Sequence, residues 1–143
     1  MLYWDSSAIV ASILNENISK EIDEFAKSFS SDCIYSAVMT PLEIESAIQR
    51  RLLEKSITER EADIARFTAA EFRKCVYLIA SDFNVLDMAL HMQKIYKLKP
   101  LDAIQLASAR MGAPDPSRVH FLCLDRKLNT AAQREGLVVP FLE

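Results

Sequence analysis

Glycine is nearly absent: Gly112 and Gly136 are the only two in 143 residues, and they lie far apart. Phosphate-cradling loops such as GxGxxG, or GxxxxGK followed by Ser or Thr, need clustered glycines so that the backbone can approach the phosphates, and both are excluded. A GxSxG nucleophile elbow fails on the same count. Cysteine is scarce as well, and Cys33, Cys75 and Cys123 form no CxxC pair. Their odd number argues against a disulfide framework, and their apolar neighbours predict buried thiols in a reducing compartment. The longest uncharged runs, Ser6 to Asn15 and Cys33 to Leu42, are about ten residues, too short for a bilayer that needs roughly 20. The opening residues carry no basic stretch followed by an apolar one, so the chain reads as cytoplasmic, with no membrane partner. An excess of positive charge is missing too: seventeen Lys and Arg face twenty Asp and Glu, for a net charge of −3 and a pI near 5.5. A polyanion must therefore be bound locally.

What is present suits one folded domain over 1–143. Half the residues are hydrophobic and 26% are charged, and a chain of this length buries roughly 68–70% of the surface that its unfolded form exposes. Leu2 to Trp4 predicts a buried strand, and Ser6 to Leu14 the helix after it. Ile18, Ile22, Phe25 and Phe29 form the stripe of an amphipathic helix. Cys33 to Tyr35 predicts a brief strand. Thr40-Pro41-Leu42-Glu43 reads as a helix start with a capping box, and Thr58-Glu59-Arg60-Glu61 repeats the pattern. Cys75 to Ala80 is read as a strand, and Val85 to Tyr96 and Leu101 to Met111 as helices. Gly112 to Ser117 is a loop, Val119 to Leu124 a strand, Arg126 to Glu135 a helix ended by Gly136, and Leu137 to Val139 a last short strand. Short apolar strands alternating with helices predict an α/β fold with a mostly parallel central sheet flanked by helices on both faces.

In open parallel sheets the ligand site lies outside the carboxyl ends of the strands. Asp5 follows the first strand and Asp125 follows Val119 to Leu124. Glu43 and Asp102 lie in first helical turns, which begin at the same edge. Each acid alone is explained as a helix cap or first-turn residue. Their coincidence calls for more, because two carboxylates about 4 Å apart repel by roughly 4 kcal/mol at an effective dielectric of 20. A carboxylate-only cluster suits hard cations such as Mg²⁺ or Mn²⁺, which commonly serve phosphoryl transfer, so the substrate expected is a phosphodiester.

At these positions the sequence resembles the PIN-domain nucleases, and among them the small VapC-type toxins of toxin–antitoxin pairs. Tyr3-Trp4-Asp5-Ser6-Ser7-Ala8 is similar to the family's opening, in which an apolar strand ends in the first metal-binding Asp. Glu43 with Ser46, Ala47 and Arg50 resembles its second motif. Leu101-Asp102-Ala103 with Leu106-Ala107 resembles the third, and Leu124-Asp125 with Leu128, Ala131-Ala132 and Gly136-Leu137 the fourth. The four occur in order along nearly the whole chain, and Ile57 to Tyr96 carries little of the signature. Cys123 departs from the family, which often has Thr or Ser there.

The resemblance implies a PIN domain with metal-dependent endoribonuclease activity. Asp5, Glu43, Asp102 and Asp125 would be both the catalytic residues and the ligands of Mg²⁺ or Mn²⁺. It also implies a cognate antitoxin, lying in a groove between the early helices, and a homodimer. Ser7 is read as a helix-start cap that could also orient Asp5. Arg50, two turns after Glu43, could meet a phosphate, although taken singly it reads as a solvated or ion-paired surface residue. Lys99, Arg126 and Lys127 flank two of the acids and could supply the local positive field for RNA. Tyr3 and Trp4 read as core packing, and His91 and His120 as structural residues. Ile57, Ile64, Phe67 and Phe72 could fill the domain's own core. An aspartyl-phosphate phosphatase needs a second acid two residues after the first, where this chain has Ser7, and a response receiver needs paired acids and a late Lys; neither pattern occurs. The remaining alternative is a non-catalytic PIN-like scaffold or RNA-binding module whose acids are helix caps.

Overall fold

A computed structural model describes residues 1–29 and 33–141. The elements run β1 (Leu2–Trp4), α1 (Ser6–Ile13), α2 (Ser19–Lys27), β2 (Ile34–Ala37), α3 (Thr40–Leu53), α4 (Glu59–Cys75), β3 (Tyr77–Ile79), α5 (Phe83–Tyr96), α6 (Pro100–Met111), β4 (His120–Leu122) and α7 (Arg126–Arg134), with a 3₁₀ turn at Pro116–Arg118. The four strands form one all-parallel sheet in the order β3-β2-β1-β4. The expected α/β class and parallel sheet are therefore present.

The two-residue period of the strands separates two cores. Tyr3 and Phe121 point to one face, where they join Tyr35, Met92 and Leu106. Leu2, Trp4 and Leu122 point to the other, where they meet Ile9, Ile22 and Ile48. Tyr3 stacks on Phe121 with centroids 5.4 Å apart and meets Tyr35 edge-on at 5.1 Å. Apolar residues thus cover both faces of the sheet, as a parallel sheet requires. Phe25 and Phe29 on the α2 side pack with His120, with ring centroids 6.0 and 4.5 Å away.

Several local expectations need correction. The Thr58–Glu61 capping box is present, but the Thr40–Glu43 box is not. Thr40 is buried inside the first turn, where its hydroxyl is 2.6 Å from the Ser36 hydroxyl and accepts from Gln105, while Glu43 is drawn to other partners. Cys33 and Cys75 are exposed, and only Cys123 is buried, because Cys75 closes the outer helix α4 rather than opening a strand. Leu137 to Val139 contributes a single bridge, His120 to Val138, held by hydrogen bonds of 2.8 and 2.9 Å to the β4 side. Ile57 and Phe72 pack partly against the core, but Ile64 and Phe67 on α4 stay exposed.

Gly112 closes α6 beneath the ring of Tyr35. A Cβ there would overlap the ring, with its Cδ2 at 2.9 Å and the Ser108 carbonyl at 3.0 Å. The ring cannot swing away easily, because it is buried and its hydroxyl donates to the Ala109 carbonyl at 3.1 Å. Gly112→Ala is therefore expected to destabilise the fold by about 1–3 kcal/mol in urea unfolding, the usual cost of overpacking, and an unchanged midpoint would show that Tyr35 yields.

Candidate functional site

The parallel sheet brings the carboxyl ends of β1, β2 and β4 to one edge, and the residues that follow each strand build the site. Asp5 leaves β1 as the N-cap of α1, with Oδ2 accepting from the Ser7 amide at 3.0 Å and from the Ser7 hydroxyl at 2.5 Å. Ser7 therefore does not cap; it holds Asp5. Its hydroxyl also accepts the Leu124 amide at 3.0 Å and lies 3.6 Å from the Cys123 thiol, tying the end of β1 to the end of β4. Cys123 takes over a task a hydroxyl could perform, since its sulfur accepts the Asp125 amide at 3.3 Å. Asp125 itself is exposed and caps α7 through the Leu128 amide at 2.8 Å.

Glu43 stands one turn into α3, between two donors. Gln105 Nε2 reaches Oε1 at 2.6 Å, and the Ser6 hydroxyl reaches Oε2 at 3.0 Å. Gln105 is fully buried and also donates to the Thr40 hydroxyl at 2.9 Å, while its Oε1 accepts from the Tyr3 hydroxyl at 2.5 Å. This side chain was missed by the sequence reading. Its signal was a glutamine inside the apolar run Leu101-Asp102-Ala103-Ile104-Gln105-Leu106, one helical turn after Asp102.

Glu43 and Asp125 line one cleft of about 550 Å³, together with Ser6, Ser7, Arg50 and Leu101. Asp5 is 3% exposed and lies behind Ser7 rather than on the wall. Asp102, in the first turn of α6, is half-buried next to the cleft. Arg50 stands on the wall as its spacing predicted. Lys99 is exposed at the start of α6, and Arg126 opens onto a second cavity with Lys127 and Arg134.

The acids share one electrostatic field. Burial raises the pKa of Asp5 above the usual carboxylate range, opposed by the Ser7 hydrogen bonds and reinforced by the charge of Asp102. Burial also raises Glu43, opposed by Gln105 and Ser6 and reinforced by Asp5 and Asp102. Asp102 is raised by burial and then by Asp125, against the lowering pull of Lys99 and Lys127. Glu43 and Asp125 share the cleft, Ser7 links Asp5 to the β4 end, and Asp102 lies in the adjoining first turn of α6. Among the described residues no three His, Cys, Asp or Glu side chains form a ready metal cage. The donor chemistry nevertheless fits a hard divalent cation: these are carboxylates that burial and repulsion leave under-neutralised.

Among known proteins, no family model and no curated sequence matches the chain.

Because the folded state raises the Asp102 pKa, it keeps that proton to a higher pH than the unfolded chain does. Stability contributed by the protonated group is lost as pH climbs from the ordinary carboxylate range through the raised value, and stays lost above it. Asp102→Asn should therefore stabilise the fold at pH 7, by about 0.5 kcal/mol after solvent screening, with no gain at about pH 3, below the ordinary range. Urea unfolding at both pH values checks this, and destabilisation at pH 7 would refute it. Gln105→Leu keeps the volume but strands the Tyr3 hydroxyl and frees Glu43, so a loss of about 1–3 kcal/mol is expected; a neutral result in the same assay would remove Gln105 from the framework of the site.

Proposed function

We propose that the chain is a metal-dependent endoribonuclease that hydrolyses RNA phosphodiester bonds, with Asp5, Glu43, Asp102 and Asp125 as its catalytic acids. The observation that carries this reading is the meeting of acids at the sheet edge, where Glu43 and Asp125 line one cleft and Ser7 ties Asp5 to the end of β4 beside it; burial and neighbouring charge oppose ionisation of Asp5, Glu43 and Asp102 there. A fold that keeps such repulsion gains from a cation. The four motifs that resemble PIN-domain nucleases place their acids at these same positions.

In this reading Asp5, Asp102 and Asp125 would hold Mg²⁺ or Mn²⁺, with Glu43 ligating directly or through water. Such an ion would supply an activated water and charge neutralisation at the phosphate. The protein's part is to fix the donors. Ser7 holds one oxygen of Asp5, Gln105 and Ser6 fix the plane of the Glu43 carboxylate, and Arg50 lies on the cleft wall, where it would meet a phosphate oxygen. No side chain needs to form a covalent bond to the substrate.

The same resemblance extends the proposal to the toxin half of a toxin–antitoxin pair, acting as a homodimer. The place we assign to the antitoxin is an apolar groove of about 330 Å³ beside α3 and α4, lined by Ile44, Ile48, Ala69, Phe72 and Leu78. A second reading, the non-catalytic scaffold, draws on Asp5 and Asp125, since both accept backbone amides as ordinary helix caps do.

Cleavage of a mixed pool of structured and single-stranded RNA, with Mg²⁺ or Mn²⁺ and with chelator, tests the proposal. The parent should cut only with metal, and Asp102→Asn should lose rate by roughly 100-fold, equivalent to about 3 kcal/mol of lost charge stabilisation. The variant is expected to be at least as stable as the parent, so its loss would not come from unfolding. Absence of cutting, together with no Mn²⁺ uptake in calorimetry, would establish the scaffold instead.

A further inference from the structure

Six of the seventeen Lys and Arg of this acidic chain fall in two short segments. Residues 94–99 and 126–134 contain Lys94, Lys97, Lys99, Arg126, Lys127 and Arg134 and no acid at all. These two segments, the end of α5 with the turn after it and the helix α7, meet in space. The Lys127 ammonium donates to the Lys97 carbonyl at 2.5 Å, and the Tyr96 hydroxyl donates to Glu135 at 2.5 Å. Between them lies an open cavity of about 450 Å³, lined by Tyr96, Arg126, Lys127, Thr130 and Arg134.

The patch borders the acid edge. Lys99 and Lys127 are the two cations whose charge lowers the pKa of Asp102, and Arg126 directly follows Asp125. Arg50 stands on the wall of the acids' own cleft, whereas its neighbour Arg51 is committed to Glu16. Cationic groups therefore stand both within the acid cleft and in the cavity beside it. A polyanion that crosses the carboxylates must be held from the flanks, since the centre repels it.

We propose that the α5–α7 cavity is a phosphate-binding subsite for single-stranded RNA, which holds the backbone of the strand beyond the bond at the acid edge. This inference rests on the nuclease reading for the identity of the polymer. Arg126 and Arg134 grip successive phosphates, Lys127 adds charge at the end nearer Asp102, and the half-buried Tyr96 ring supplies an aromatic face at the cavity wall. Guanidinium groups suit this task because their fork matches two phosphate oxygens, and a ring beside a backbone track is the usual platform for an unpaired base.

The test is fluorescence anisotropy with a labelled single-stranded RNA of about a dozen nucleotides, on the full chain carrying Asp5→Asn, in chelator. In that background Arg126→Gln with Arg134→Gln should weaken binding at least fivefold, and the slope of log affinity against log salt should shrink by about 1.4, or two phosphate contacts on a single strand. Lys20→Gln with Lys27→Gln, exposed cations on α2, should change neither. Equal losses in both pairs, or none in the first, would overturn the subsite. So would a poly-glutamate peptide binding with the Arg126 and Arg134 dependence while RNA shows none, which would make the cavity a protein-docking face. Because the assay needs no metal and no cutting, a chain that binds RNA through these arginines yet never cleaves it would sink the nuclease reading alone.

Discussion

Tyr3 joins the core to the site. It belongs to β1, one of the two inner strands, with its ring stacked on Phe121 and edge-on to Tyr35, and its hydroxyl donates to Gln105. Gln105 in turn holds Glu43 and Thr40. One buried chain of hydrogen bonds thus runs from the sheet through α6 to α3. Each polar group in it depends on the next, and the low dielectric that strengthens the chain also makes any gap in it costly.

Around that chain the fold sets two demands against each other. Burial favours neutral acids, while hydrogen-bond donors favour charged ones. Asp5 and Glu43 each have local donors. Ser7 serves Asp5, and Ser6 with Gln105 serve Glu43. Asp125 is left exposed, where water does the same work. Hydrogen bonding to the charged form offsets part of the desolvation and leaves a remainder that a bound cation could neutralise.

Much of this order was legible in the sequence. The alternation of short apolar strands with helices points to a mostly parallel sheet, and the rule that ligand sites lie at the carboxyl edge groups Asp5, Glu43, Asp102 and Asp125 from the sequence alone. The same local rules misled where a residue had a better partner far along the chain. Thr40 and Glu43 satisfy the capping-box pattern, yet Gln105 lies 62 positions from Glu43 and captures both side chains. Ser7 has the look of a cap, but its hydroxyl reaches Leu124 across the sheet. Cys75 sits in an apolar run that the outer helix α4 leaves facing water. Long-range pairing overrides local preference at these positions, and periodicity contains no record of it.

The pairing of β1 has a consequence for how the molecule is made. One of its neighbours, β2, follows after some thirty residues, but the other, β4, matches Leu2 with His120 and Trp4 with Leu122. At a synthesis rate of about 5–20 residues per second, the 118 residues between those partners separate the first strand from its second neighbour by roughly 6–24 s. Until then Tyr3 has no Phe121 to stack on and Ser7 no Leu124 amide to bind. The carboxylate edge is therefore a late product of translation. A nascent chain can form the contacts of Glu43 with Ser6 and Gln105 earlier, but the fourth acid, Asp125, and the Leu124 amide that fixes Ser7 follow β4, so whatever chemistry the four perform together waits for that strand to arrive.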